Sequence, residues 1–369
     1  PRVRRQRQMC IRDSPIREQN HRKNSRRYQK RAAARRRRNT IFIMEIVLLL
    51  ILAVVLFFVS KLSKIEKTKL DMDKIEVNED ISQESRKIMK GYQTIAMFGL
   101  DNRSNGNLSQ GRSDVIMLAN INNDTKEVKL VSVYRDTYLD TGDGIFQKCN
   151  AAYAKGGPEQ AISMLNVNLD LNITDYVTVD FNSIIECVDL LGGVDMEITD
   201  DEASLMTGYI RELNELTGNK AENLTQGGTY TLNGVQACAY ARIRYGGGDD
   251  YRRTERQRTV LTAMVKKAQQ SDLTTVNKLI NEVCGDIQTS FSNAELLALA
   301  SQVFQYSIGD TTGFPFTKTT RVLSKKTGDV VIPCDLSDNV KELHIFLYED
   351  SAYTCLLYTS PSPRDSTSS

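Results

Sequence analysis

The only imidazoles in this chain of 369 residues are His21 and His344, which leaves little room for a histidine-based triad or a His-rich metal centre. The seven cysteines, at 10, 149, 187, 238, 284, 334 and 355, contain no C-x-x-C spacing, so a zinc site is disfavoured as well. Chemistry falls to Asp, Glu, Arg, Lys or a hydroxyl, and two clusters of such residues stand out. The first is Arg112-Ser113-Asp114 with Arg135-Asp136. Between them, the apolar runs 115–121 and 128–133 are separated by Asn122-Asn123-Asp124-Thr125-Lys126, which predicts a tight antiparallel hairpin. Pairing Asn122 with Glu127 makes facing residue numbers sum to 249 and sets 114 opposite 135, so both charged groups share one end of the sheet. Asp101, just past the apolar run Thr94–Leu100, joins that edge if the run is a neighbouring strand.

The second cluster lies downstream. Arg242 and Arg244 are two apart and point the same way in an extended segment. After Gly246-Gly247-Gly248, a helix over 253–270 is predicted, with Asp249 or Asp250 as its cap. Arg253 and Gln257 are one turn apart on it and continue into Val260, Leu261 and Met264, an apolar stripe that faces the core. An inward arginine at a helix start is costly without an anion, and the helix dipole and free N–H groups favour an anion at the same place. Three arginines and a glutamine suit a phosphate or pyrophosphate, whose several oxygens match planar guanidinium forks. Two aspartates at the first cluster suit Mg²⁺, which takes one or two carboxylates plus substrate phosphates. Singly, each residue fits an ordinary surface salt bridge; their joint placement favours a site.

Positioning these groups takes a mixed α/β fold. Helices are predicted over Pro158–Leu169, Thr231–Ala241, Arg253–Gln270, Thr275–Asp286, Asn293–Ser307 and Asp338–Leu347. Another puts Phe181, Ile184, Ile185, Val188 and Leu191 on one stripe, with Asp180 as N-cap and Gly192-Gly193 as stop. Tyr176–Val179 and Lys325–Pro333 add strands. Residues 92–350 show no repeat and no Pro/Ser-rich linker, and read as one domain of about 260 residues.

Charge and hydropathy organise the remainder. Residues 1–40 hold 16 Lys+Arg against 2 Asp+Glu, whereas 41–369 hold 32 against 44, so an acidic protein carries a basic arm. Within residues 41–60, Ile41–Val59 is apolar with Glu45 as its single charge; as a helix it spans roughly 28 Å, matching a hydrocarbon core of about 30 Å. No cleavage-site pattern follows, so the segment reads as a transmembrane signal-anchor. The positive-inside rule then sets the arm in the cytoplasm and residues beyond about 61 outside the cell. Beside the span, Arg35–Arg38 fixes orientation and touches anionic membrane lipid, and nucleic acid is not an expected partner. Residues 61–91 read as a charged membrane-proximal stalk. Residues 1–14 and 351–369 contain RQRQMCIRDS and CLLYTSPSPRDS, which resemble translated sequencing-adapter read-through and are set aside.

The blocks Gly111-Arg-Ser-Asp-Val-Ile-Met-Leu118, Val131-Ser-Val-Tyr-Arg-Asp-Thr137, Asn150-Ala-Ala-Tyr-Ala-Lys-Gly-Gly157, Leu191-Gly-Gly-Val194, Tyr240-Ala-Arg-Ile-Arg244 and Asp250-Tyr-Arg-Arg-Thr-Glu-Arg-Gln257 resemble, in order, the LytR-CpsA-Psr family. The resemblance runs from about residue 92 to 350. It implies a central mixed β-sheet flanked by helices, with a prenyl tail in an apolar tunnel, and a membrane-anchored phosphotransferase. Such enzymes move a glycan, teichoic acid or capsular polysaccharide, from a polyprenyl-pyrophosphate carrier to a peptidoglycan hydroxyl through a phosphodiester. By similarity, Asp101 and Asp114 hold Mg²⁺ or Mn²⁺; Arg112, Arg135, Arg242, Arg244, Arg253 and Gln257 bind the pyrophosphate, assisted by Lys148; and Asp136 orients the arginines. Arg112, Asp114, Arg135 and Asp136 are the catalytic candidates, with Asp114 or Asp136 open as general base. Tyr134 stands where the family usually has proline, and Cys149 where it has an apolar residue; both question local loop shape.

The competing reading is a non-catalytic prenyl-pyrophosphate-binding sensor or transcriptional attenuator, which would have no need of metal carboxylates. For the topology, a reporter fused after Tyr353 should be active outside the cell, and activity confined to the cytoplasm would reverse the assigned orientation.

Overall fold

The structure, a computed structural model, describes residues 70–100, 111–244, 250–272 and 287–355, together with 44, 49, 66, 67, 108, 274, 275, 278 and 279. Two compact units are present, 1–60 and 61–369. The basic arm and the expected span over 41–60 lie outside the described residues, apart from Met44 and Leu49, which are helical and exposed. Among the described residues, no helix is long and apolar enough to cross a membrane.

The second unit is built on a seven-stranded mixed sheet. Its order is β1 (Glu66–Lys67), β10 (Ile287–Thr289), β7 (Asp175–Asp180), β2 (Tyr92–Leu100), β3 (Ser113–Asn122), β4 (Glu127–Val133) and β11 (Ser307–Phe314). Strands β2, β3 and β4 form an antiparallel meander, β7 lies parallel to β2, and β11 lies parallel to β4. The β3–β4 register, from Met117↔Ser132 to Ile121↔Val128, keeps the expected sum of 249. It is fixed by alternation: Phe98, Ile116, Leu118 and Val131 enter one core, while Ile95, Met117, Ala119 and Leu130 enter another on the opposite face.

Helices cover both faces. The first core takes residues from α2 (Ala151–Leu169) and α8 (Leu336–Tyr348), with α1 (Gln83–Met89) at its margin. Beyond the sheet, a third core is formed by α3 (Phe181–Leu190), α4 (Asp200–Thr217), α5 (Gly234–Arg242) and the hairpin β8 (Val194–Ile198) with β9 (Gly228–Leu232). Helix α6 (Asp250–Gln270) bridges two cores: Val260 and Met264 enter the third, and Leu261 packs on the sheet beside residues of α7 (Asn293–Ser301). Each fully buried Leu, Ile or Met on these faces contributes about 1.5–3 kcal/mol, so the bridge fixes where the N-terminus of α6 sits. Two further hairpins, β5 (Tyr138–Asp140) with β6 (Phe146–Lys148) and β12 (Lys318–Ser324) with β13 (Gly328–Pro333), follow β4 and β11.

Several boundaries differ from expectation. Thr231 and Leu232 belong to β9, and the helix after them starts at Gly234, because Asn233 and Gln236 close a reciprocal capping box there. The helix expected from Pro158 begins at Ala151 and is broken by non-helical Gly156 and Gly157. The helix from Asn293 stops at Ser301, and 307–314 are strand. Residues 325–327 form the turn of a hairpin that begins at Lys318. Of Thr275–Asp286, most lies outside the described residues.

Gly234 opens α5 where its Cα meets the backbone of Ile185 in α3, and a Cβ there would overlap that backbone. Gly234→Ala should therefore force the two helices apart and lower stability by about 1–3 kcal/mol, read as a lower denaturant midpoint with unchanged slope.

Candidate functional site

Asp114 leaves the second position of β3, and Arg135 stands two residues after β4 ends; the hairpin register brings them together, Nη1 of Arg135 donating to Oδ2 of Asp114 at 2.6 Å. The same Asp114 oxygen lies 3.6 Å from Nη2 of Arg253, in the first turn of α6. Asp250, at the start of that helix, is a second hub: its Oδ1 is 3.3 Å from Arg253, 3.4 Å from Arg135 and 3.7 Å from Arg244. Two carboxylates thus hold three guanidinium groups. Asp136 extends the network, 3.5 Å from Arg135 Nε and 2.8 Å from Lys148 Nζ at the end of β6.

Arg242 is held differently. Its guanidinium lies over the rings of Phe181, at 5.2 Å, and Tyr209, at 5.6 Å, and Nη2 reaches Glu212 at 3.2 Å. Here α3, α4 and α5 converge on one side chain, supplying the attraction of aromatic faces for a cation along with one carboxylate.

Among the described residues, Asp114, Arg135, Phe181, Tyr209, Arg242, Arg244 and Arg253 line one cavity of about 300 Å³. Four guanidiniums therefore face a space that has a single carboxylate in its wall. Arg253 is 4% exposed, and its proton affinity is lowered by burial and then by Arg135, against the pull of Asp114 and Asp250. For Arg135, burial acts downward too, yet Asp114, Asp250 and Asp136 together raise it. The Oδ2 of Asp250 and the Oε1 of Gln257 are buried without a hydrogen-bond partner. Those two oxygens are acceptors and favour no anion, whereas the four guanidiniums facing the cavity, with Arg253 in the first turn of a 21-residue helix, suit a ligand with several anionic oxygens.

The expected residues are thus largely gathered. Asp114, Arg135, Asp136, Lys148, Arg244 and Arg253 form one ionic network, and Arg242 completes the cavity wall. Arg112 is exposed just ahead of β3 and Gln257 half-buried one turn beyond Arg253 in α6; neither lines the cavity among the described residues. Asp101 lies outside the described residues. Arg242 is the last residue of α5 rather than part of an extended segment; the non-helical Ile243 turns the chain between it and Arg244. Sequence reading missed α4 with Tyr209 and Glu212, although Thr199-x-x-Glu202 is a capping-box signature, and the box is present. It also gave Asp250 no role beyond a cap.

Both residues that depart from the expected pattern bear on Arg135. Cys149 is fully buried, with its thiol against the carbonyls of Tyr134 and Arg135, while the Asn150 N–H donates to the Arg135 carbonyl at 3.1 Å.

A model of the LytR_cpsA_psr family matches residues 52–321. The chain belongs to the LytR-CpsA-Psr family. It is 30% identical over 210 residues to a protein of Enterococcus faecalis named polyisoprenyl-teichoic acid–peptidoglycan teichoic acid transferase TagU, covering 56% of this chain and 64% of that one. It is 30% identical over 195 residues to Bacillus subtilis TagV, named for the same transfer, covering 52% and 48%. The chain thus spans about half to two thirds of the length of these curated relatives. A solved structure described as the LytR-CPS2A-psr family protein YwtF (TagT) with bound octaprenyl pyrophosphate lipid shares the fold, with a TM-score of 0.55 at 20% identity over 77% of this chain and 98% of that one.

An anion held by these guanidiniums should depend on the most buried of them. Replacing Arg253 with methionine should weaken binding of inorganic pyrophosphate by about tenfold to a hundredfold, as loss of a charge-assisted hydrogen bond implies, measured by isothermal titration calorimetry.

Proposed function

We propose that this LytR-CpsA-Psr protein is a membrane-anchored phosphotransferase that takes a glycan from a polyprenyl-pyrophosphate carrier and joins it by a phosphodiester to a peptidoglycan hydroxyl, outside the cell. The observation that carries this reading is the cavity itself, in which Arg135, Arg242, Arg244 and Arg253 surround one space with Asp114 in its wall. The relatives named as teichoic acid transferases and the neighbour named for its bound octaprenyl pyrophosphate support the choice of substrate.

Phosphoryl transfer asks a protein mainly for alignment and charge neutralisation. Arg135, Arg244 and Arg253, tied to one another through Asp114 and Asp250, would grip the pyrophosphate oxygens without having to be ordered on binding. Arg242, braced by Phe181, Tyr209 and Glu212, would meet the same group in that cavity. As the P–O bond to the leaving polyprenyl phosphate breaks, these cations offset the charge that develops on it. Lys148 keeps Asp136 turned toward Arg135. The incoming hydroxyl must lose a proton, and Asp114 is the one carboxylate lining the cavity among the described residues. Both candidate bases are ion-paired, Asp114 to Arg135 at 2.6 Å and Asp136 to Lys148 at 2.8 Å, and Asp114 is preferred only because it reaches the cavity.

A divalent cation fits this donor chemistry. Asp114 would supply one hard oxygen ligand, while Asp101, the other expected ligand, lies outside the described residues. No group of three His, Cys, Asp or Glu side chains suited to a metal occurs among the described residues, so Mg²⁺ or Mn²⁺ would share itself with substrate phosphates. When bound, it would add positive charge against the pyrophosphate.

The full chain in detergent should transfer sugar phosphate from a polyprenyl-pyrophosphate glycan to a peptidoglycan oligomer with Mg²⁺ present. Asp114→Ala should lower the rate about a hundredfold or more, as removal of a group acting on the transition state does. Tight lipid binding without product under any divalent metal would instead establish a sensor.

A further inference from the structure

Next to Arg135 and Asp250 in the chain, and outside the cavity lining, Tyr134 and Tyr251 meet edge to face with centroids 4.6 Å apart and planes at 70°. Lys318, the first residue of β12, puts its Nζ 4.9 Å from the Tyr134 ring centre and 4.6 Å from that of Tyr251. The same ammonium donates to the carbonyls of Pro315, at 3.1 Å, and Phe316, at 3.4 Å. No carboxylate pairs with it among the described residues, and burial lowers its proton affinity. Two aromatic faces and two carbonyls therefore hold this charge.

The place of this stack in the chain matters more than its composition. Tyr134 immediately precedes Arg135, and Tyr251 immediately follows Asp250, the pair whose Nε and Oδ1 lie 3.4 Å apart. Tyr134 is also tied to the β11 exit, its N–H donating to the Phe314 carbonyl at 3.0 Å. Its hydroxyl end occupies the space over Gly313 that a Cβ at that position would fill. Three segments thus meet at one ammonium: the end of β4, the start of α6 and the β11–β12 junction.

We propose that Lys318 is a positioning residue for the anion site, clamping Tyr134 against Tyr251 so that Arg135 and Asp250 keep the spacing at which Arg135, Arg244 and Arg253 present their donors together. This rests on the reading of the cavity as a pyrophosphate site. Methionine at 318 would keep the stem between the rings and remove the charge, whereas arginine would restore a cation that stacks on both faces.

The test is a mutant cycle on the full chain in detergent, with inorganic pyrophosphate as probe, titrated calorimetrically, and melting curves as the check of folding. Lys318→Met should weaken binding by about threefold to tenfold, Lys318→Arg should restore it, and Lys318→Met combined with Arg135→Ala should bind no more weakly than Arg135→Ala alone. Should Lys318→Met fail to fold, Tyr251→Leu takes its place in the cycle with the same expectation. If Arg135→Ala loses affinity while Lys318→Met binds as the wild type, or if the two losses add in full, Lys318 serves only to anchor its hairpin and the proposal is overturned. A wild-type chain with no affinity for pyrophosphate would overturn the site reading, and this inference with it.

Discussion

Everything in the site follows from the need to hold like charges close together. Arg135 and Arg253 both lie within 3.6 Å of one oxygen of Asp114, and both again within 3.4 Å of one oxygen of Asp250. Two unit charges 4 Å apart repel by about 4 kcal/mol at an effective dielectric constant of 20. Unscreened, that repulsion would drive the end of β4 away from the start of α6. The two shared carboxylates reverse its sign locally, and they do so incompletely. The two arginines register the remainder in opposite directions, Arg135 held up by three aspartates and Arg253 pushed down by burial and by its neighbour. A cavity that retains excess positive charge after internal pairing stays ready for an anion yet does not disrupt the fold around it.

Keeping that balance needs precise placement from elements that are distant in sequence. Asp114 and Arg135 come from one hairpin, whose register is pinned because a one-residue slip of β4 would move Val131 and Val133 out of one core and Ser132 into it. Arg253 comes from a helix anchored by Val260 and Met264 in one core and by Leu261 in another. Arg242 comes from α5, where Gly234 permits contact with α3 that no other residue would allow. The packing of three cores therefore converts into distances of a few ångströms at one cavity, and strain in any of them would be felt as a change in how far apart the cations sit.

These origins also explain how much was legible in the sequence. The hairpin register could be read because a tight turn fixes it and alternation confirms it, so the meeting of 114 with 135 was predictable to the residue. The inward face of α6 could be read for the same kind of reason, since helical spacing links Arg253 to Val260 and Met264. What could not be read depended on contacts between elements. Asp250 looked like a helix cap because its second role, bridging three arginines, exists only once β4 and α6 are adjacent. Tyr209 and Glu212 went unplaced because α4 is mostly polar, with only Ala203, Met206, Ile210 and Leu213 buried, although its capping box was in plain view. Arg242 and Arg244 were expected to share an extended direction; both do reach the cavity, but by a turn at Ile243 after a helix end. Residue type and spacing had picked two groups that line the cavity while assigning them the wrong backbone.

Partial neutralisation also bears on selectivity. A small monoanion approaching Arg135 must compete with Asp114, already bound at 2.6 Å, and it brings a single charge to do so. A pyrophosphate presents several oxygens, so it can engage more than one of the four guanidiniums that line the cavity at once. The aspartates then act in two ways, stabilising the empty site and raising the threshold for weak ligands. The surrounding charge works in the same direction. Residues 41–369 carry 44 acidic against 32 basic groups, so these arginines gather within a net acidic part of the chain. Affinity concentrated at one cationic point, within a net acidic chain, favours a ligand whose negative charge is compact over one whose charge is spread along its length.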